Sequence, residues 1–205
     1  MVNFKNYDDL YNYVENYVLS HRLEQAHKAL LYGQVSHKGQ FRKDKHCKVP
    51  YYVHPLLICC HAIPLGFDED DILATALLHD VCEDCGVIVD ELPVSDEIKE
   101  AVELLTKNNN VVAGSIEAQE YYDKISTNKV AVIVKLLDRC NNVSSMANAF
   151  SKEKMVNYME RTKKYVYPLF EIAKELYPNK KEQIFLIKYQ MVSIIDSLSK
   201  VLNQK

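Results

Sequence analysis

Four ionisable side chains fall within six consecutive positions: His79, Asp80, Glu83 and Asp84, in HDVCED. An imidazole nitrogen beside a carboxylate suits a borderline divalent cation such as Mn²⁺, Fe²⁺ or Zn²⁺. Two further carboxylates, three residues on, could take a proton from a water held by such an ion. A His-Asp dipeptide taken alone reads as the polar end of a helix. The added Glu-Asp pair, directly after a strongly apolar stretch, makes a merely solvated face a poorer account. Matching ligand types occur in two other segments, His37 in SHKGQFRK and Asp138 at the end of AVIVKLLD. An acid that closes a buried run caps it, ligates an ion or pairs with a neighbour such as Arg139, and residue type alone does not choose.

The elements that must carry these groups are helical. Tyr7 to about Gly33 has apolar residues at helical spacing, as in Leu10, Tyr13, Val14 and Tyr17. Ser36 to Pro50, SHKGQFRKDKHCKVP, reads as a helix end running into an exposed cationic loop. Pro55 opens an apolar helix that stops near Pro64 and Gly66. Asp68 is the expected N-cap of the next helix, with Asp71 in its first turn and Ile72, Leu73, Ala76 and Leu77 as its buried stripe. That helix delivers His79 and Asp80. Further helices fit Ser95 to about Lys107 and Ser115 to Ile125. The last carries Ile184, Ile187, Met191, Ile194 and Leu198 on one face, for core or dimer packing. Ala131 to Asp138 resists the pattern, because its β-branched bias is that of a strand.

The order H-x-G-Q-x-R-K, P-Y-x-x-H-P, A-x-L-L-H-D-x-x-E-D and K-L-x-D-R-x-x-N, from His37 to Asn142, resembles the hydrolase domain of the RelA/SpoT alarmone enzymes. It is similar too to their small stand-alone relatives. The resemblance implies an all-α, single-domain helical bundle of the HD type over residues 1–205, and makes AVIVKLLD a helix. It implies one divalent metal, with Mn²⁺ the leading candidate, held by His37, His79, Asp80 and Asp138. Glu83 and Asp84 would position and deprotonate the attacking water. Arg42 and Lys43 match a cationic pair beside base and phosphates, Asn142 a residue near sugar and base, and Lys135 with Thr106-Lys107 positions lining the pocket.

The sequence departs from the family where a basic segment is expected before the last ligand and EAQEYYDKISTNK stands instead. Tyr121 and Tyr122 there either stack on a base or belong to the core, with the core reading ahead. The loop KDKHCKVP replaces a short Gly-containing turn. Cys82-x-x-Cys85 lies inside the HD motif, but without a second CxxC or a βαβ pattern these are taken as incidental small residues. His54 is read as tying its loop to the core, and His21, His27, His46 and His61 are given no role.

Composition bounds the alternatives. The 205 residues carry a formal net charge of −3, with 48% hydrophobic and 26% charged residues. That excludes a non-specific grip on a nucleic-acid backbone but not a small nucleotide. With no signal-peptide pattern and no membrane-length apolar stretch, a cytoplasmic protein with reduced cysteines is expected, and a homo-oligomer is compatible. The length leaves no room for a synthetase segment. The leading reading is release of pyrophosphate from the 3′ position of (p)ppGpp or a similar nucleotide. Alternatives are another HD nucleotidase, acting on NADPH or a nucleoside monophosphate, and a non-catalytic nucleotide sensor.

Overall fold

The structure, a computed structural model, describes residues 6–45, 47–107 and 115–203. His46 lies outside them. The first helical segment is divided into α1 (Tyr7–Ser20) and α2 (Glu24–Ser36) by a break in which Arg22 takes a left-handed φ of 56°. A minimal antiparallel pair follows, β1 (Phe41–Arg42) and β2 (Val49–Pro50), in register Phe41↔Pro50. The expected cationic loop is therefore a pinned hairpin. Helix α3 (Val53–Ala62) begins two residues ahead of Pro55.

Helix α4 (Asp70–Leu78) starts later than Asp68. Asp68 does not cap it, because its carboxylate accepts instead from the Tyr17 hydroxyl. Asp70 caps a different helix: its carboxylate accepts from the backbone N–H groups of Gln25 (3.1 Å) and Ala26 (2.7 Å), two orphan donors at the start of α2. After α4 come the one-turn α5 (Val81–Cys85), α6 (Asp96–Leu105) and α7 (Ile116–Ser126).

Helix α8 (Lys129–Ser145) is the axis of the molecule. It packs against α3, α4, α6 and α7, and also against α10 (Tyr167–Leu176) and α11 (Lys181–Asn203). Asn128 starts it by accepting from the N–H groups of Val130 and Ala131, both at 3.0 Å. Every residue from Val130 to Cys140 is buried. A helix enclosed on all sides has no polar stripe, so AVIVKLLD shows no helical period and its β-branched residues mimic a strand. Helix α9 (Lys152–Arg161) passes into α10 through a π-helical turn, Thr162–Val166. The last helix buries Ile184, Ile187, Met191 and Ile195, with Ile194 and Leu198 only partly covered.

Gly33 of α2 sits where its neighbours leave no room for a side chain. A Cβ there would lie 2.6 Å from Tyr52 Oη and 2.9 Å from the Leu77 carbonyl oxygen of α4. Tyr52 is buried, and its hydroxyl donates to the Leu30 carbonyl at 3.1 Å, so it has little room to yield. Gly33→Ala should lower stability by about 1–3 kcal/mol, the usual cost of overpacking a filled core. Thermal or urea denaturation measures it, and an unchanged midpoint would mean that Tyr52 moves aside freely.

Candidate active site

The apolar turns of α4 end at His79, which is 3% exposed, and the chain then bends into α5 at Asp80. Helix α3 brings His54 to the same point, and α8 brings Asp138. His54 Nε2 is 3.2 Å from an Asp138 oxygen and 3.6 Å from an Asp80 oxygen. His79 Nε2 is 3.1 Å from Asp80 and 3.8 Å from Asp138. His54, His79 and Asp80 form a cluster able to hold a metal ion.

The tautomers follow from the outer ring nitrogens. His79 Nδ1 lies 2.8 Å from the Ala76 carbonyl oxygen, so it carries the proton and donates. His54 Nδ1 lies 2.7 Å from Asn141 Oδ1 and donates likewise. In the neutral rings both Nε2 lone pairs then face two carboxylate oxygens, an arrangement that repels itself unless a cation stands between them. Among the described residues, His79 Nε2 has no hydrogen-bond partner. A proton can fill the role. Burial alone would lower the His79 pKa, but the Asp80 and Asp138 carboxylates more than offset this and raise it to about 9. A divalent ion fills the role too. With ligand bonds of about 2.0–2.2 Å, neighbouring donors sit roughly 3.0–3.5 Å apart, close to the spacings found.

The surroundings fix these donors. Tyr51 donates from its hydroxyl to Asp80 at 2.7 Å. Lys135 donates to Asp138 at 2.9 Å, and Asn142 donates to the other Asp138 oxygen while accepting from Arg42 at 3.0 Å. Burial would raise the Asp138 carboxyl, but Lys135 and the two histidines hold it well below the usual range. Of the roles open to Asp138, pairing with Arg139 is not the one seen. Lys135, one helical turn back, shares the face of Asp138. Arg139 is engaged elsewhere on the cleft wall, donating to Tyr122 Oη at 2.7 Å and Thr162 Oγ1 at 3.2 Å.

The structure does not gather His37 into this cluster. Its ring stacks on Tyr51 with centroids 4.7 Å apart, and its Nδ1 is 2.8 Å from Gln40 Oε1. It lines a separate cavity of about 450 Å³ with Tyr7, Val35 and Phe41. His54, read as structural, takes the place in the cluster that His37 was given. The signal was present in P-Y-x-x-H-P, a histidine entering an otherwise apolar helix.

The cluster floors a cleft of about 480 Å³. Arg42, Lys43, Lys135 and Asn142, all predicted, line it, as do Glu83 and Asp84. Sequence reasoning missed Phe41, Tyr51, Phe150, Tyr158 and Arg161, which also line it. Glu83 Oε2 accepts the backbone N–H of Lys107 at 3.2 Å. Tyr121 and Tyr122 are core: both are buried, and the Tyr121 hydroxyl donates to the Leu105 carbonyl at 2.7 Å.

An all-helical bundle whose central helices converge a His/Asp cluster on one cleft is the HD type of fold. Comparison supports the assignment. A solved structure of a metazoan ortholog of SpoT, described as hydrolysing ppGpp and playing a role in starvation responses, superposes with a TM-score of 0.61. It is 22% identical and covers 82% of this chain and 95% of its own. The guanosine-3′,5′-bis(diphosphate) 3′-pyrophosphohydrolase of Aquifex aeolicus is 29% identical over 160 residues, 74% of this chain and 22% of its own length. The protein of the same name from Vibrio cholerae is 26% identical over 148 residues, 68% of this chain and 20% of its own length. A probable GTP pyrophosphokinase of Mycobacterium leprae is 31% identical over 139 residues, 65% of this chain and 17% of its own. The chain thus spans about a fifth of the length of the curated relatives it matches. No protein-family model matches it. The resemblance to small HD hydrolases of the RelA/SpoT type, drawn from the motifs, holds against these relatives.

The geometry separates the two histidines experimentally. After loading with Mn²⁺ and desalting, His54→Ala and Asp138→Ala should retain far less metal than the unmodified chain, while His37→Ala should retain a full complement. Metal analysis by mass spectrometry reads this directly. The reverse ranking would restore His37 as the ligand.

Proposed function

We propose that the chain is a metal-dependent phosphohydrolase that releases pyrophosphate from the 3′ position of (p)ppGpp or a closely similar nucleotide. One observation carries the reading: three of the donor set, His54, Asp80 and Asp138, line a cleft otherwise rich in cations, with His79 packed against the two carboxylates. Its remaining charged lining is Arg42, Lys43, Lys107, Lys135, Arg139 and Arg161, against Glu83 and Asp84. Such a cleft favours a ligand carrying several negative charges at some distance from a metal. The names of the relatives from Aquifex aeolicus and Vibrio cholerae, and the description of the metazoan structure, favour the same substrate.

The four donors would hold one divalent ion. Two imidazoles with two carboxylates suit Mn²⁺ well and also accept Fe²⁺ or Zn²⁺. When bound, the ion supplies Lewis-acid activation of water and of a phosphoryl group. Tyr51 donates to the Asp80 oxygen that faces both histidines, while Asn142 donates to the Asp138 oxygen that faces them and Lys135 to the other, so both carboxylates would be held in position for the ion. Glu83 and Asp84, on the turn that follows the His-Asp pair, orient the attacking water and accept its proton. Charge that develops on the departing diphosphate is stabilised by the lysines and arginines of the cleft, held in place before the reaction begins. Arg42, braced by Asn142 and lying 6.0 Å from the Tyr51 ring, is placed against the nucleotide itself. The ligand is a small nucleotide, and the working compartment is the cytoplasm.

Product analysis over a nucleotide panel with Mn²⁺ tests the proposal. The expected products from ppGpp are pyrophosphate and a nucleotide free of 3′ phosphate. Dephosphorylation of NADPH or of nucleoside monophosphates alone would move the chain to a different HD nucleotidase. Binding of ppGpp without turnover would make it a sensor. Glu83→Gln should keep its metal while kcat falls by about 10²-fold or more. Full activity in that variant would place the base elsewhere. Arg42→Ala should act mainly on KM for the 3′-diphosphorylated nucleotide. Loss of one charge-assisted contact, about 1.5–3 kcal/mol, corresponds to roughly ten- to a hundred-fold in kcat/KM. A small generic phosphoester should be hydrolysed equally by both proteins.

A further inference from the structure

Tyr121 lies behind the wall of the cleft rather than on it, yet its ring and its hydroxyl each reach groups that line it. Two of the cleft's cations lie over the ring: Lys107 Nζ is 5.7 Å and Lys135 Nζ 5.6 Å from the centroid. Both spacings are within the roughly 6 Å at which an aromatic face attracts an ammonium group. The ring has little freedom of its own, because Tyr121 is buried and meets Tyr122 edge-on at 5.1 Å. Two like charges gathered at one ring repel each other. Lys135, together with burial, lowers the Lys107 pKa below its ordinary value. An anion shared by the two ammonium groups would relieve that repulsion. At its other end, the Tyr121 hydroxyl donates to the Leu105 carbonyl at 2.7 Å, one of those left without an intrahelical partner where α6 stops. Burial pushes this phenol up to about 12, so it stays protonated and donates throughout the neutral range. Two residues on, the Lys107 backbone N–H donates to Glu83 Oε2 at 3.2 Å. The hydroxyl therefore fixes the helix end from which the contact to Glu83 is made.

We propose that Tyr121 is a positioning residue: its ring gathers Lys107 and Lys135 into a grip on an anionic phosphate group of the substrate, and its hydroxyl fixes the segment whose amide holds Glu83. The grip rests on the cleft and its cations. The second role rests on the reading of Glu83 as a group that acts on water. The two roles separate chemically, since phenylalanine keeps the ring and loses the hydroxyl, whereas leucine loses both. Core filling asks only for apolar volume. It would move stability, but not the split between phosphate affinity and turnover.

The test uses the full chain loaded with Mn²⁺ and desalted, with binding of inorganic pyrophosphate read by calorimetry and turnover of ppGpp by product analysis. Tyr121→Phe should bind pyrophosphate as tightly as the unmodified chain. Tyr121→Leu, or Tyr121→Met should the smaller side chain fail to fold, should weaken that binding on the order of ten-fold and raise KM for ppGpp to a similar degree. Tyr121→Phe should instead lower kcat on the order of ten-fold at unchanged KM, as for a small misplacement of a catalytic group. In a Glu83→Gln background the same change should have no further effect, because the two residues act as one unit. Unchanged pyrophosphate binding without the ring would overturn the grip. Full turnover in Tyr121→Phe, or a loss that persists undiminished beside Glu83→Gln, would overturn the role of the hydroxyl. If the unmodified chain hydrolyses no nucleotide at all, the proposed activity fails and the hydroxyl's role with it, while pyrophosphate binding still decides the grip.

Discussion

A carboxylate inside a helix bundle is costly, and the site is organised around making one tolerable. Asp138 is 6% exposed on a helix enclosed by its neighbours. Removing such a charge from water costs on the order of several kcal/mol unless it is paired and fully hydrogen-bonded. Lys135, Asn142, His54 and His79 meet that demand from the same helix, from α3 and from the end of α4. Each partner is fixed in turn: His54 by Asn141, His79 by the Ala76 carbonyl, and Asn142 by Arg42. Removing one member leaves a buried charge short of a partner, so the constellation is rigid before any ligand arrives. That rigidity is what a hydrolytic site needs from its protein, because fixed groups need no reorganisation as charge develops.

The same helix explains why its sequence was misleading. Periodicity reports the boundary between core and solvent, and α8 over Val130–Cys140 has no such boundary. The amphipathic helices are different. Leu10, Val14 and Val18 stripe α1, and Ile98, Ala101, Val102 and Leu105 stripe α6, and both were legible. The breaks were less so. Nothing in HRLE announces that Arg22 adopts a left-handed backbone, and Asp68 looks like a cap until Tyr17 is seen to occupy it.

At the site, residue type and order gave His79, Asp80, Glu83, Asp84 and Asp138; the four carboxylates line one cleft, and His79 lies behind it against Asp80 and Asp138. The choice between His37 and His54 was harder, although P-Y-x-x-H-P carried a signal for His54. Both histidines flank the hairpin loop, both are buried, and both fall in motif pieces. They differ in how the ring meets Tyr51, stacked at 4.7 Å for His37 and edge-on at 6.4 Å for His54. Arg161 was invisible for a related reason: a cation on an otherwise polar helix reads as a solvated face until the packing turns it inward. Pairing with Arg139 stood among three open readings of Asp138, and adjacency in sequence does not favour it, since neighbours on a helix point about 100° apart.

The π-helical turn Thr162–Val166 gives the second half of the bundle a phase. An α-helix advances about 100° per residue, so the extra residue of a π turn sets the angle at which everything after it meets α8. Thr162 lies beneath the Arg139 guanidinium, Tyr165 stacks on Tyr122 at 5.2 Å, and Leu169, Phe170 and Ala173 are buried in α10. Deleting one residue here would restore a regular helix and swing that apolar face about a quarter-turn away from α8. Inserting one elsewhere in α9 would swing it the other way. The helices that close the core and the arginine at the wall of the cleft are thus keyed to each other by a count of residues, as teeth on two gears are, and tolerance to substitution in this segment should far exceed tolerance to a change in its length.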